Sequence, residues 1–287
     1  MAAIFKREMK MYFSSMIGYV FTAFFVLVTA IYFSLQNILS LSPQFENVFN
    51  SVIMMFLILA PILTMRLLSE ETKQKTDQLL LTSPVSVVGV VLGKFFAAVT
   101  VFIIALVITM LFPLILSFYG SIAVAQIIGS YIGFFLLGSS FIAVGLWISS
   151  ITDNQIVSAV ATFAAVFLLL MVETIVSSAS GNLTFSFIFA LIIALLIATY
   201  FYSNTKDWSV GVIVFIVEAA VLAILYLKKP GVFYGLAGNF ASMFAVLTRY
   251  NNFAMGILDL GSVVYFISFI GVFLYFTVRV IEKRRWS

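Results

Sequence analysis

From residue 95 to residue 152 the chain carries no Asp, Glu, Lys or Arg. No water-soluble surface can be built from such a run, because about a quarter of a soluble domain is charged. The rest of the 287 residues extend the pattern: 63% are hydrophobic, 9% are charged, and the mean hydropathy is +1.20. A soluble fold of this length could not hide that much apolar surface. Disorder is excluded too, since it needs low hydrophobicity. The surface must therefore face lipid. Crossing a bilayer takes about 20 apolar residues as helix, while barrel strands read as short alternating segments. The apolar runs here are long and continuous, so the expected fold is an all-α integral membrane protein.

Eight spans are expected, over 17–37, 49–68, 92–117, 122–149, 156–176, 184–203, 209–227 and 262–281. Pro113 and the turn Tyr119-Gly120-Ser121 divide the uncharged run into two of them. Residues 1–14 read as an interfacial helix, with Ile4, Phe5, Met9, Tyr12 and Phe13 on one face and Lys6, Arg7 and Lys10 opposite or flanking. The only long hydrophilic stretch is 69–86, SEETKQKTDQLLLTSPVS. It reads as a short amphipathic helix outside the bilayer, with Ser69 as a cap, Glu70 and Glu71 in the first turn, and Pro84 as the stop. Residues 232–260 are apolar but broken by glycines, asparagines, Arg249 and Asp259, and are expected as re-entrant or interfacial helices. The whole of 1–287 forms one transmembrane domain in this reading.

Charge sets the expected orientation. With a cytoplasmic N-terminus and eight spans, the cytoplasmic segments hold Lys6, Arg7, Lys10, Arg66, Lys73, Lys75, Lys94, Lys206, Arg279, Lys283, Arg284 and Arg285. The outer side holds Lys228, Lys229 and Arg249. Twelve of fifteen basic residues on one side is a strong positive-inside bias, and it puts both termini in the cytoplasm. The same placement argues against nucleic acid as a partner, because the basic residues hug the ends of apolar runs.

The chemistry available is narrow. Cys and His are absent, so disulfides and zinc or haem ligation through them are excluded, as is catalysis by either. No metal site is expected. Gly89-Val-Val-Leu-Gly93-Lys94 resembles a phosphate-binding loop but has three residues between the glycines and Phe95 after the lysine, so it fails the pattern. The Gly89/Gly93, Gly129/Gly133 and Gly231/Gly235 spacings suit close helix packing instead. Gly133, Gly138 and Gly145 also make a small-residue face that could line a seam between subunits. Glu218 sits near the middle of the seventh expected span, where a charge costs at least about 3 kcal/mol on insertion scales. It is either an ion, proton or substrate site, or a protonated glutamate bonded to a neighbouring helix. Asn182-Leu183-Thr184 matches a glycosylation sequon, which a chance match explains as well.

Four stretches together resemble the permease subunits of type-2 ABC transporters, nearest the branch of gliding-motility and multicopper-enzyme-maturation permeases. They are IFKREMKMYFSSMIGYVFTAFF at the start, MRLLSEETKQKTDQLLLTSPVSVVGVVLGKF over 65–95, ITDNQIVSA after the fourth span, and FAMGILDLGSVVYFISFIGVFLYFTVRVIEKRRW at the end. The paired acids, leucine cluster and Gly-Lys of the second stretch are the most specific. Residues 183–231 look like two spans added to a six-span core.

The resemblance implies a multi-pass protein of the bacterial cytoplasmic membrane that forms a translocation pathway and lacks catalytic residues. It implies a second permease subunit, identical or related, and two ABC ATPase subunits that bind the ATP and Mg. An accessory extracytoplasmic protein is a further implied partner, beside membrane lipids. Glu70, Glu71, Lys73, Thr76, Asp77, Leu79 and Leu80 would then contact the ATPases, joined by Phe5, Lys6, Arg7 and Lys10 of the interfacial helix. The competing readings are an ion-gradient-driven transporter or channel using Glu218, and a membrane anchor for a mechanically working ATPase complex.

Overall fold

The computed structural model describes residues 1–76, 86–179, 183–205, 208–233, 238–239 and 242–286. Helices make up its regular structure, with no strand among the described residues. They are α1 Ala2–Ser14, α2 Ile17–Ile38, α3 Glu46–Lys73, α4 Val87–Ser117, α5 Val124–Ile151, α6 Gln155–Ala179, α7 Leu183–Thr205, α8 Trp208–Lys228, α9 Val246–Ala254 and α10 Leu260–Trp286. Among the described residues seven helices are long and apolar enough to cross a membrane, and α7 adds a shorter apolar stretch, Leu183–Thr199. In lipid a helix satisfies its own backbone, which is why the uncharged run folds this way.

The breaks follow local chemistry. Pro113 lacks an amide hydrogen and crowds the preceding turn, and α4 breaks at Met110, between Val87–Thr109 and Leu111–Ser117. The chain then turns at residues 118–120 and restarts at Val124. Ser86 caps the start of α4 by accepting a bond from the Gly89 amide at 3.2 Å. Asp259 performs the same service for α10, accepting from the amides of Gly261 (3.0 Å) and Ser262 (3.1 Å) and from the Ser262 hydroxyl (2.8 Å). The Ser262 hydroxyl and then the Gly261 amide hold the Asp259 carboxyl below its ordinary range. The region expected as re-entrant or interfacial contains a 3-10 turn at Pro230–Phe233 and the nine-residue α9.

The chain divides into two compact units, Met1–Phe167 with Arg249–Ser287, and Leu168–Thr248. The smaller unit centres on the α7–α8 pair. Phe187 lies 4.7 Å from Tyr226 and 5.7 Å from Phe233, and Tyr202 meets Trp208 edge-on at 5.8 Å.

In the larger unit α5 is the axis: 83% of its most apolar stretch is buried, against 11% for α10. Lipid gives helices little hydrophobic reason to associate, so close packing must hold them. The glycines of α5 supply that closeness. A Cβ at Gly133 would lie 2.6 Å from that of Phe253, one at Gly138 would lie 2.5 Å from the Phe102 ring, and one at Gly145 would overlap the Thr64 side chain. Gly129 sits beneath the Phe253 carbonyl. The face of Gly133, Gly138 and Gly145 is therefore filled from within the chain, by α9, α4 and α3. This corrects the reading of it as a seam between subunits.

Around that axis Phe25, Phe56, Phe102 and Phe134 interlock with ring centres 5.2–6.4 Å apart, and Phe49 stacks on Phe134 at 4.5 Å. Edge-on and tilted pairs dominate, as the ring quadrupoles favour. Two glycines behave differently. Nothing lies within 4 Å of a Cβ added at Gly231 or Gly271, so these make no close approach, and Gly235 lies outside the described residues. Gly138→Leu is expected to destabilise the bundle by about 1–3 kcal/mol or more through overpacking, read as a lower unfolding temperature in detergent. Gly271→Ala should leave that temperature unchanged.

Candidate functional site

The buried side of α1 is one stripe, Ile4, Glu8 and Tyr12, spaced four residues apart. Ile4 packs onto Gly93 of α4, where a Cβ would lie 3.0 Å from its methyl carbon. Tyr12 donates to the Leu63 carbonyl of α3 at 2.7 Å. Between them Glu8, 1% exposed, receives the ammonium of Lys94, 0% exposed, at 2.9 Å. Lys94 reaches Glu71 at 3.0 Å and donates to the Leu67 carbonyl at 2.6 Å. Arg7 closes the ring by pairing with both Glu8, at 2.7 Å, and Glu71. Two cations and two carboxylates thus form a neutral cluster joining α1, the end of α3 and the start of α4. Partial burial lowers the pKa of Arg7, but the hydrogen bond and charge of Glu8, with those of Glu71, leave it raised.

More polar ties surround the cluster. Arg66 grips Glu70 through two hydrogen bonds, 2.7 and 2.8 Å long. Ser149 of α5 accepts from the Leu68 and Ser69 amides, each at 3.1 Å. Arg284, near the end of α10, donates to the Thr72 hydroxyl at 2.9 Å and lies 3.6 Å from Asp153. Both ends of the chain therefore meet α3, one at Glu71 and the other at Thr72.

A family model described as ABC-2 family transporter protein matches residues 2–188. The chain belongs to the ABC-2 transporter family. It is thus a multi-pass membrane permease of the ABC type and not itself an ATPase. The match covers the cluster and ends before α9 and α10, so the C-terminal resemblance lies outside it. No curated protein and no solved structure matches the chain significantly.

The permease departs from the sequence reading in several places. Ser69 does not cap a helix; Leu68 occupies that position, and the Ser69 hydroxyl bonds back to the Met65 carbonyl. The helix from Ser69 has five residues and continues α3, and a turn reaches Thr76. Asp77, Leu79 and Leu80 lie outside the described residues. Of the candidate contact residues, Glu71 is engaged with Arg7 and Lys94 and Glu70 with Arg66, while the neighbouring Thr72 accepts from Arg284. Thr76 bonds its own segment at the Glu71 carbonyl, and Lys73 is exposed. On α1, Lys6 and Lys10 are exposed and Phe5 is half-buried, but the buried stripe centres on an acid rather than on apolar residues alone.

Glu8 and the pairing role of Lys94 were missed. Two signals could have found them. Glu8 is the only acid before Glu46, and Lys94 is the only charge between Asp77 and Asp153. Lys94 also leaves the set of surface charges counted for orientation, because it is fully buried. Glu218, on α8, is half-buried, and its Oε2 has no hydrogen-bond partner among the described residues.

Breaking a buried pair leaves an uncompensated charge. Glu8→Ala or Lys94→Met alone is therefore expected to cost about 3–5 kcal/mol, and the double variant less than the sum. Unfolding of the four proteins in detergent gives the coupling. Additive single losses would show that the pair does not act as a unit.

Proposed function

We propose that this ABC-2 permease is the pathway-forming subunit of an ATP-driven exporter, and that separate ATPase subunits dock at the end where α1, α3 and α4 meet. The observation that carries the proposal is the neutral cluster of Arg7, Glu8, Glu71 and Lys94. It makes α1 and the polar end of α3 one rigid piece with α4. A push from an ATPase on that piece moves a spanning helix directly, with no slack in a flexible linker. Coupling of this kind requires contacts that differ between the two states of the machine. The positive-inside bias favours a cytoplasmic position for this end, where ATP and Mg would be available to the ATPases. The finer likeness to gliding-motility and multicopper-maturation permeases stays part of the proposal, as do pairing with a second permease and residence in a bacterial plasma membrane.

A second reading has one observation behind it. The Oε2 of Glu218, without a hydrogen-bond partner among the described residues, is what a proton- or ion-driven transporter would need on a spanning helix. It predicts transport that survives without any ATPase and stops in Glu218→Gln.

The docking test must spare the cluster. Lys73 and Lys75 are exposed, so reversing both to Glu changes the presented surface and not the fold. The permease carrying Lys73→Glu and Lys75→Glu is expected to keep its unfolding temperature. It should lose copurification with the ATPase encoded beside it and lose ATP-dependent transport. Full assembly and transport in that variant would refute docking at this face.

A further inference from the structure

At the opposite end of α2 from α1 the larger unit contains a cavity of about 600 Å³. It is lined by Phe33, Asn37 and Ile38 of α2, residues 41–43 of the following loop, and Ile115, Leu116 and residues 119–121 after α4. The volume falls within the usual range of about 300–1,000 Å³ for small-molecule sites. Three features of the backbone and side chains set it apart from a simple packing gap.

The first is the wall. The last turn of α2, Ser34–Ile38, is a π-helix, closed by a bond from the Leu39 amide to the Ser34 carbonyl at 2.9 Å. Such single wide turns occur disproportionately at functional sites. The second is the loop after it, where Leu41 holds a left-handed φ of 50°. That conformation is uncommon for a residue with a large side chain. The third is Asn37, 2% exposed. Its Nδ2 donates to the Ser42 carbonyl at 2.8 Å, which fixes the orientation of the amide. Its Oδ1 is then a buried acceptor with no hydrogen-bond partner among the described residues. An unmet buried acceptor is costly unless something supplies a donor.

We propose that this cavity binds a neutral hydroxyl-bearing glycerolipid, with its chain along Phe33, Ile115 and Leu116 and its hydroxyl donated to Asn37. Among the described residues the lining contains no charged side chain, so an anionic or cationic head would enter uncompensated. The mouth points to the leaflet as the source. Leu41 is 90% exposed, Phe118 79% and Tyr119 85%, which is the apolar and aromatic rim expected at a membrane interface. The cavity shares no lining residue with the ion-pair cluster.

Gly120 gives a clean way to close it. It lines the cavity, and a Cβ added there meets nothing within 4 Å. Gly120→Trp therefore starts from an unobstructed Cβ on the cavity wall, and the unfolding temperature checks that the ring is accommodated. The purified chain is labelled with a photoactivatable diazirine monoacylglycerol, and the labelled peptides are mapped. Label is expected on residues 33–43 and 115–121, and Gly120→Trp should reduce it by about tenfold or more at an unchanged unfolding temperature. Monooleoylglycerol should compete about fivefold better than methyl oleate, which has no donor, and Asn37→Leu should abolish that preference. Equal labelling of the wild type and Gly120→Trp would overturn the proposal, as would a preference for monooleoylglycerol that survives in Asn37→Leu. Equal competition by the two lipids in the wild type would overturn it as well.

Discussion

A lysine fully removed from water, in a helix that must lie in lipid, is tolerable only if its charge is met on the spot. Lys94 is met three times, by Glu8, Glu71 and the Leu67 carbonyl. Each partner comes from a different position along the chain, so satisfying one ammonium brings α1 under α3 and α4 together. Arg7 then neutralises the second carboxylate. Without Lys94 there would be no reason for an acid-bearing helix to press its Glu8 face against apolar spans. The close seat of Ile4 on Gly93, one residue away, is the steric side of the same contact. Charge and shape therefore specify one register for α1.

The interior of the bundle solves a different problem by different means. Its apolar surface gains little from leaving lipid, so contact quality decides which helices meet. Glycines at 129, 133, 138 and 145 of α5 let Phe253, Phe102, Phe56 and Thr64 come within distances that any Cβ would forbid. Phe56 and Phe102, which share the hollow at Gly138, also meet each other edge-on, and Phe253 meets Phe266, so these contacts tie α3 to α4 and α9 to α10. A bundle held this way resists sliding, which is what a lever fixed at one end requires if displacement is to travel along it.

Much of the fold is legible in the sequence because its controlling length is local. A run of about 20 apolar residues reads as a span wherever it occurs, and Pro113 or Tyr119-Gly120 marks an end without reference to anything distant. The polar island from Ser69 is visible as a break in hydropathy for the same reason, but its first five residues continue α3 rather than opening a separate capped helix. The cluster is not, since Glu8 and Lys94 lie 86 residues apart and no periodicity links them. Each is a lone charge in an otherwise apolar or basic surrounding, and two lone charges of opposite sign are candidates for each other. The glycine face of α5 shows the complementary failure. Its small residues were readable, but whether they faced another helix of the same chain or a second subunit depends on where Phe253 and Thr64 arrive. That is settled by α9 and α3 in three dimensions and by nothing in α5 itself.

The cluster also changes what the polar segment offers to a partner. In sequence, 70–76 mixes two acids with two lysines and reads as balanced. In space the acids are spent: Glu70 on Arg66, and Glu71 on Arg7 and Lys94. Lys73 and Lys75 stay exposed, with Lys6 and Lys10 exposed on α1. Among the described residues this end therefore presents positive charge over a neutral interior. Complementary potential steers encounter and rejects wrong partners more than it sets affinity. A partner surface matched to this end should be acidic at its rim. The internal ion pairs, being already satisfied, then keep the segment in shape while the partner comes and goes.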